Sequence, residues 1–492
     1  MFAGQVVILD QLDDATETNG IVNSSLTGTF GTDSSGHSGR PDGATWRSQN
    51  QIVKIVTVDD ATHITITPGL YMPNWRSGQS PEVWAYGTAA SDTIYNPALE
   101  DFTVINVNWN PNGQNSNIQF LSTYGGRIHN IRSLNGPRNH FGCMQCAHLT
   151  IQSSYFYGSV ASNSESYAIE TMFSTGSDNL YANNIFHRVT APIIGPCVGC
   201  VVSHNYTFYN YYTDGGGCTT GANCDWQGLW IGHDSGGGYT LMEGNYTNGQ
   251  HADANHGNSP LSTLFRNYLS GRDDAGISLV TKDNYRVALI LRSFARAFNV
   301  IGNVLGTPSL HADYTTEFVA FPDLDIYALG KQNGLADDAL VKSSLLRWGN
   351  YDTVTNAVRW CGNSSNTGWS TTCSSTSEVP TTGITYINGN AVPSTETLPA
   401  SFYLSSAPAY WVTPYGTPAW PPIGPEVTGG NVSGYGNRVH KIPAKLCFEN
   451  LADDPAYPSS SPRIKSFSAT ACYLGAPPPP TSNIKKRLGG RR

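Results

Sequence analysis

The chain has 492 residues, of which 39% are hydrophobic and 13% charged, with a formal net charge of −8. The acidic balance argues against nucleic acid, which needs a basic surface, and the absence of a run of about 18 apolar residues argues against a membrane span. Many Asn, Ser, Thr and Gly beside few Lys and Glu favour strands and turns over helices.

Residues 1–100 read as short strands and an N-terminal cap. The stretch Gln5-Val6-Val7-Ile8-Leu9-Asp10 opens as a strand, and residues 51–58 and 62–67 alternate as strands do, with a turn at Asp59-Asp60. A cap of this kind covers strand edges that a solenoid end leaves unpaired. Met1-Phe2-Ala3-Gly4 lacks the basic and apolar regions of a signal peptide, so the leader of a secreted protein is expected to lie outside this sequence.

Residues 101–350 carry a recurring phrase, Asn followed by an apolar or aromatic residue and a turn. It stands at Asn184-Ile185, Asn205-Tyr206, Asn245-Tyr246, Asn267-Tyr268 and Asn303-Val304, at spacings of 21, 40, 22 and 36 residues. A repeat of roughly 20–25 residues built from short strands, some rungs carrying insertions, predicts a solenoid. With no helices between the strands, successive parallel strands must coil through turns, which predicts an all-β parallel β-helix. The repeated Asn is then expected to stack on the Asn of the next rung as an amide ladder. Insertions at 212–228, 251–260 and 270–287 are expected to wall a groove.

Residues 351–475 lose the period and read as a C-terminal cap region rich in Trp, Pro and Thr. Residues 476–492, a Pro run followed by Lys and Arg, read as a linker and a disordered tail. The 10 cysteines fall into close pairs, Cys143/Cys146, Cys197/Cys200, Cys218/Cys224, Cys361/Cys373 and Cys447/Cys472. They are read as disulfides or stacked turn thiols of an oxidising compartment, with zinc as the rival reading of the two Cys-x-x-Cys pairs. Sequons stand at Asn23, Asn205, Asn245, Asn363 and Asn431; those at Asn205 and Asn245 fall in the repeat, where an inward Asn is out of reach of sugar.

The densest polar stretch runs from 225 to 274. Rungs stack about 4.8 Å apart, so carboxylates one or two rungs apart would sit roughly 5–10 Å apart, the range used in glycoside hydrolysis. Asp234, Asp253, Asp273 and Asp274 are the acid/base candidates, with His233 and His256 as orienting groups. Asp273-Asp274 would act together only in a bend, where neighbouring carboxylates keep one proton available. Trp226 and Trp230 are candidate sugar platforms, and Glu243 (also a candidate partner of Arg266), Asp214 and Arg272 are further substrate-binding candidates. No Gly-x-Ser-x-Gly elbow, phosphate loop or dinucleotide fingerprint is present.

The run from Asp101 to Asn350 resembles the right-handed parallel β-helix proteins of the pectate lyase-like superfamily. The stretches Asp10-Gln11-Leu12-Asp13-Asp14, Tyr239-Thr240-Leu241-Met242-Glu243-Gly244-Asn245, Thr263-Leu264-Phe265-Arg266-Asn267 and Arg359-Trp360-Cys361-Gly362-Asn363 resemble a subgroup of secreted bacterial proteins with no settled activity. The resemblance implies cleavage of a polysaccharide, by hydrolysis or by β-elimination. Asp214 and the Asp273-Asp274 pair answer in part to the carboxylates of polygalacturonase-type hydrolases, though no Arg-x-Lys follows them suitably placed. Arg266 or Arg272 answers to the base of a pectate lyase working with Ca2+, though no calcium triad of Asp stands out. The expectation is a secreted or periplasmic, monomeric, polysaccharide-cleaving enzyme. Hydrolysis without a cofactor is the first choice; a calcium-dependent lyase and a non-catalytic glycan-binding or adhesive solenoid are the alternatives.

Overall fold

The computed structural model describes residues 1–13, 39–43, 45–85, 89, 92–107, 116–159, 166–172, 175–195, 197–212, 224–225, 227–274, 282, 284–320, 322–332, 334–380 and 392–475. The expected linker and tail at 476–492 lie outside them, as do Asp214, Trp226 and Cys218 with its expected bond to Cys224.

Each rung of the solenoid has three faces. The first carries Tyr167–Thr171, Ala191–Ile194, Leu229–Trp230, Gln250–Ala252, Leu289–Leu291 and Asp325–Leu329, paired in parallel. The second carries Leu180–Ala182, Val201–Ser203, Leu241–Glu243, Thr263–Phe265, Asn299–Ile301 and Leu346–Trp348, also parallel. Two long strands, Ser116–His129 and Asn139–Gln152, serve both faces in the early rungs. The third face is a ten-stranded sheet that includes Tyr155–Ser159, Ile185–His187, Tyr206–Phe208, Tyr246–Thr247, Tyr268–Leu269 and Val304–Leu305. This is the parallel β-helix architecture that the repeat predicted.

Alternation along each short strand sends one row of side chains inward. Ile169, Ile193, Leu229 and Leu289 from the first face meet Val202, Met242, Leu264 and Val300 from the second and Phe156, Phe186, Leu269 and Leu305 from the third in one buried core.

The turn from second to third face explains the repeated phrase. The residue before the ladder position takes a left-handed backbone in rung after rung: Asn183, His204, Gly244, Arg266, Gly302 and Gly349 all have φ between 53° and 67°. At Gly349 a Cβ would also lie 2.3 Å from the Trp360 ring, so glycine alone fits. The Asn that follows is buried and closes the ladder. Asn205 donates through Nδ2 to Asn245 Oδ1 (3.0 Å), Asn245 to Asn267 (2.9 Å), Asn267 to Asn303 (3.0 Å) and Asn303 to Asn350 (3.0 Å). Each Oδ1 also accepts the backbone N–H of the preceding ladder residue, and each Nδ2 reaches a carbonyl of the preceding rung, as Asn267 does to Met242 (2.9 Å). Every polar atom of the amide is thereby satisfied in a place where an orphan would cost about 1–3 kcal/mol.

The N-terminal strands form an antiparallel four-stranded sheet, ordered Ile64–Thr67, Gln49–Val58, Val6–Gln11, Glu82–Trp84. Val6, Ile8 and Ile52 lay its apolar face on Tyr124 and Ala147 of the early rungs. The C-terminal segment runs along the outer side of the third face. There Tyr206, Phe208, Tyr246 and Tyr268 share a buried cluster with Tyr410, Tyr435, Ile442 and Phe448. Helix Pro443–Asn450 is tied to the short helix Ala469–Cys472 by Cys447–Cys472, and Cys361–Cys373 closes a loop further back.

Cys197–Cys200 is a disulfide as well, and the three bonds fit an oxidising, extracytoplasmic setting. Cys143 and Cys146 are both buried and free, which corrects a disulfide reading of that pair; burial foremost, with the neighbouring thiol, pushes the Cys143 thiol up. Among the described residues no helix is long and apolar enough to cross a membrane.

Candidate functional site

The polar stretch from 225 to 274 is divided by the fold into three places. The first is the turn that leaves the first face. Leu229 pairs with Gln250, so the residues just beyond these strands lie on neighbouring rungs. His233 Nδ1 thereby stands 3.0 Å from both Oδ1 and Oδ2 of Asp253. Asp234 and His256 are joined by a parallel backbone bridge, and His256 N–H donates to His233 C=O at 3.1 Å. The His256 ring meets the His233 ring edge-on at 4.7 Å. His233, Asp234, Asp253 and His256, separated by up to 23 residues in the chain, are thus one cluster.

Burial sets the electrostatics. The His233 side chain is 12% exposed and that of Asp253 2%. Burial alone would lower the imidazole, but the charge and hydrogen bond of Asp253, with Asp234 and Glu170 adding to them, raise it to about 9. Burial likewise works to raise Asp253; the charge and hydrogen bond of His233 outweigh it and hold the carboxylate below its ordinary range. His233 is therefore an imidazolium at neutral pH, oriented by Asp253.

Behind it stands an aromatic wall. Trp230 stacks on His251 at 4.9 Å and 10°, and its ring is 5.1 Å from that of His233. Trp230 is only 5% exposed, so the expected open sugar platform is instead a buried support between two imidazoles. Burial, reinforced by the Arg292 charge, lowers His251 to about 3. Arg292 donates from Nε to His251 Nε2 (3.1 Å) and from a terminal nitrogen to the Tyr285 hydroxyl (2.6 Å). In the sequence His251 belonged to the polar stretch without a role, and Arg292 lay outside it. Only the register of rungs brings them together.

The second place holds Asp273 and Asp274, whose side chains diverge. Asp273 accepts from Tyr209 N–H (2.7 Å) and pairs with Lys282 (2.5 Å). Asp274 turns to the C-terminal helix, pairing with Lys445 (2.5 Å) and accepting from the Tyr206 hydroxyl (3.2 Å). The expected acid pair does not form, because each carboxylate faces its own cation. Arg272 lies half-buried on the same turn.

The third place is the turn at Arg266, where the guanidinium is 1% exposed and spent on the C-terminal segment. It donates to the carbonyls of Pro399 (2.8 Å), Leu398 (3.2 Å) and Ile423 (3.1 Å) and pairs with Glu426. The expected Arg266–Glu243 ion pair does not close, though the Arg266 charge still acts on Glu243: Glu243 accepts the Phe402 N–H at 2.9 Å, and burial foremost raises its carboxyl to about 6.

Among the described residues no group of three or more His, Cys, Asp or Glu side chains could hold a metal ion.

Fold and cluster together define a parallel β-solenoid protein with a buried His–Asp pair at a rung turn. No protein-family model matches the chain, and no curated protein matches it. Among solved structures it is similar to the Gp54 tailspike of Acinetobacter baumannii bacteriophage AP22, solved in complex with A. baumannii capsular saccharide, at 11% identity and a TM-score of 0.39. That likeness covers 73% of this chain and 51% of the tailspike, so the chain spans about half the length of that protein.

Proposed function

We propose that the protein is a secreted carbohydrate-active enzyme, working as a monomer, that hydrolyses glycosidic bonds of a polysaccharide at the turn carrying His233, Asp234, Asp253 and His256. The observation that carries this reading is the buried His233–Asp253 pair, with a second carboxylate, Asp234, beside it. An imidazolium oriented by one carboxylate, with a second carboxylate beside it, is an arrangement that general acid–base catalysis can use.

In this reading His233, protonated at neutral pH, gives its proton to the leaving glycosidic oxygen as the C–O bond breaks. Asp234 takes a proton from the water whose oxygen bonds to the anomeric carbon. Solvent exchange returns the proton from Asp234 to His233. Asp253 holds the ring and stabilises its charge, and so is a positioning residue. No cofactor is needed for these steps. A lyase mechanism with Arg266 as base has less support, since its guanidinium is committed to the C-terminal segment.

The test is a broad polysaccharide panel with product mass spectrometry and reducing-end detection. Release of reducing sugar that Asp234→Ala and His233→Ala each abolish, with the fold intact, supports the reading. Products carrying a new double bond, absorbing in the ultraviolet, would transfer it to the lyase class. Retention of a polysaccharide on a gel with nothing released would make the protein a binding solenoid.

A further inference from the structure

Two imidazoles flank one indole at the site. The His251 ring stacks on Trp230 at 4.9 Å and 10°, and the His233 ring stands 5.1 Å from the same indole. The Asp253 carboxylate pulls each imidazole toward its charged form. The next rung brings in a cation. Ala252 pairs with Leu291, so Arg292 leaves its strand at the register position of Asp253, and its N–H donates to Ala252 C=O at 2.9 Å. Its side chain, 5% exposed, runs back to His251.

A guanidinium only donates, and it keeps its proton in proteins. Arg292 Nε lies 3.1 Å from His251 Nε2, so that ring nitrogen offers a lone pair. A neutral imidazole with a lone pair on Nε2 carries its hydrogen on Nδ1, and the hydrogen-bond partners thereby assign the tautomer. Protonating Nε2 would set two donors face to face and one positive charge against another. The guanidinium is also held in place. One terminal nitrogen donates to the carbonyls of Ala320 (2.8 Å) and Lys331 (3.1 Å), the other to the Tyr285 hydroxyl (2.6 Å).

We propose that Arg292 is a positioning residue that decides which of the two imidazoles carries the charge: it fixes His251 as a neutral ring with its hydrogen on Nδ1 and leaves the positive charge to His233. The charged groups facing His251 are Arg292, Asp253 and His233; the two cations oppose a second proton on the ring, and burial opposes it most. His233 faces Asp253, Asp234, Glu170 and the His256 ring. With His251 neutral, Asp253 serves a single imidazolium. A charged His251 would compete for that carboxylate and repel His233. The part Arg292 plays in cleavage rests on the function proposed above; the tautomer does not.

Two-bond proton–nitrogen NMR on the full chain, labelled with heavy nitrogen in its histidine rings, tests it, with His251→Gln to identify the His251 signals. Between about pH 5 and 8 wild-type His251 should be neutral with its hydrogen on Nδ1. In Arg292→Met the hydrogen should appear on Nε2 as well, and the His251 midpoint should move up. A wild-type His251 that is charged in this range, or that carries its hydrogen on Nε2, overturns the proposal. So does an Nδ1 form that Arg292→Met leaves intact. The wild-type spectrum decides by itself where the variant does not fold. On a polysaccharide that the protein cleaves, Arg292→Met should lower kcat about tenfold or more with KM unchanged. If nothing is cleaved while the spectra are as expected, the proposed function fails and the proton assignment stands.

Discussion

Asp253 holds the His233 imidazole through both carboxylate oxygens, each 3.0 Å from Nδ1, across a sequence gap of 20 residues. The pair is buried, and its pH behaviour is a property of the folded chain. An imidazole raised above its ordinary 6.5 to about 9 contributes stability that is fully present below about pH 6.5 and lost as pH rises through about 9. Asp253 is depressed, so its contribution is present above its ordinary 3.8 and lost as pH falls through its lower folded value. NMR titration of the His233 ring should place its midpoint near 9. In Asp253→Asn burial is opposed only by the weaker pull of Asp234 and Glu170, and the midpoint should fall well below 9. Breaking the pair should also cost about 3–5 kcal/mol in chemical denaturation. A midpoint that Asp253→Asn leaves in place would sink the assignment.

The acid role of His233 predicts the shape of the rate profile. Activity should fall on the alkaline side with the His233 midpoint, and the limb should move down in Asp253→Asn by the same amount as the NMR midpoint. An alkaline limb that ignores Asp253 would assign the proton to another group.

The amide ladder predicts a steep local penalty. Asn267→Ala removes the acceptor for two donors of Asn245 and the donor to Met242 C=O and Asn303. Urea denaturation should show a loss of about 3 kcal/mol or more, since several buried groups are orphaned together. Asn267→Asp, which keeps the acceptor but buries a charge, should be no better tolerated. Near-native stability in both would mean that water replaces the amide.

Burial of the ladder also decides which sequons can carry sugar. Asn205 and Asn245 are fully buried, whereas Asn363 and Asn431 are exposed. Expressed in a glycosylating host, the folded chain should carry glycan at Asn363 or Asn431 and none at Asn205 or Asn245, as read by glycopeptide mass spectrometry.

Arg266 separates a structural from a catalytic role. Its guanidinium ties together the carbonyls of Leu398, Pro399 and Ile423. Arg266→Ala should lower stability by several kcal/mol (about 3 or more) and open residues 398–426 to limited proteolysis, because three carbonyls and Glu426 lose their donor together. Turnover per folded molecule should be unchanged. Loss of turnover in a protein that resists protease as the wild type does would return Arg266 to the chemistry.

The scaffold was legible because it repeats. A left-handed residue followed by Asn must recur wherever a rung turns from second to third face, and His204-Asn205, Gly244-Asn245, Arg266-Asn267 and Gly302-Asn303 carry that requirement in plain sequence. Three of the expected cysteine bonds were legible as well, each closing a short loop. The site was legible only as a stretch. Composition marked residues 225–274 as rich in Asp, His and Arg, but it gave no means of telling a carboxylate that meets His233 from one that meets Lys445.

The sequence by itself determined the coil, its rung length and the inward Asn, because those follow from local backbone geometry and from a spacing repeated along the chain. Tertiary structure alone decided partnership. Stacking of rungs set Asp253 on His233, while insertions and the C-terminal segment drew Asp273 to Lys282, Asp274 to Lys445 and Arg266 to Glu426. A buried charge takes the counter-charge that packing brings within reach, and reach across rungs is a property of space that no local pattern of residues encodes.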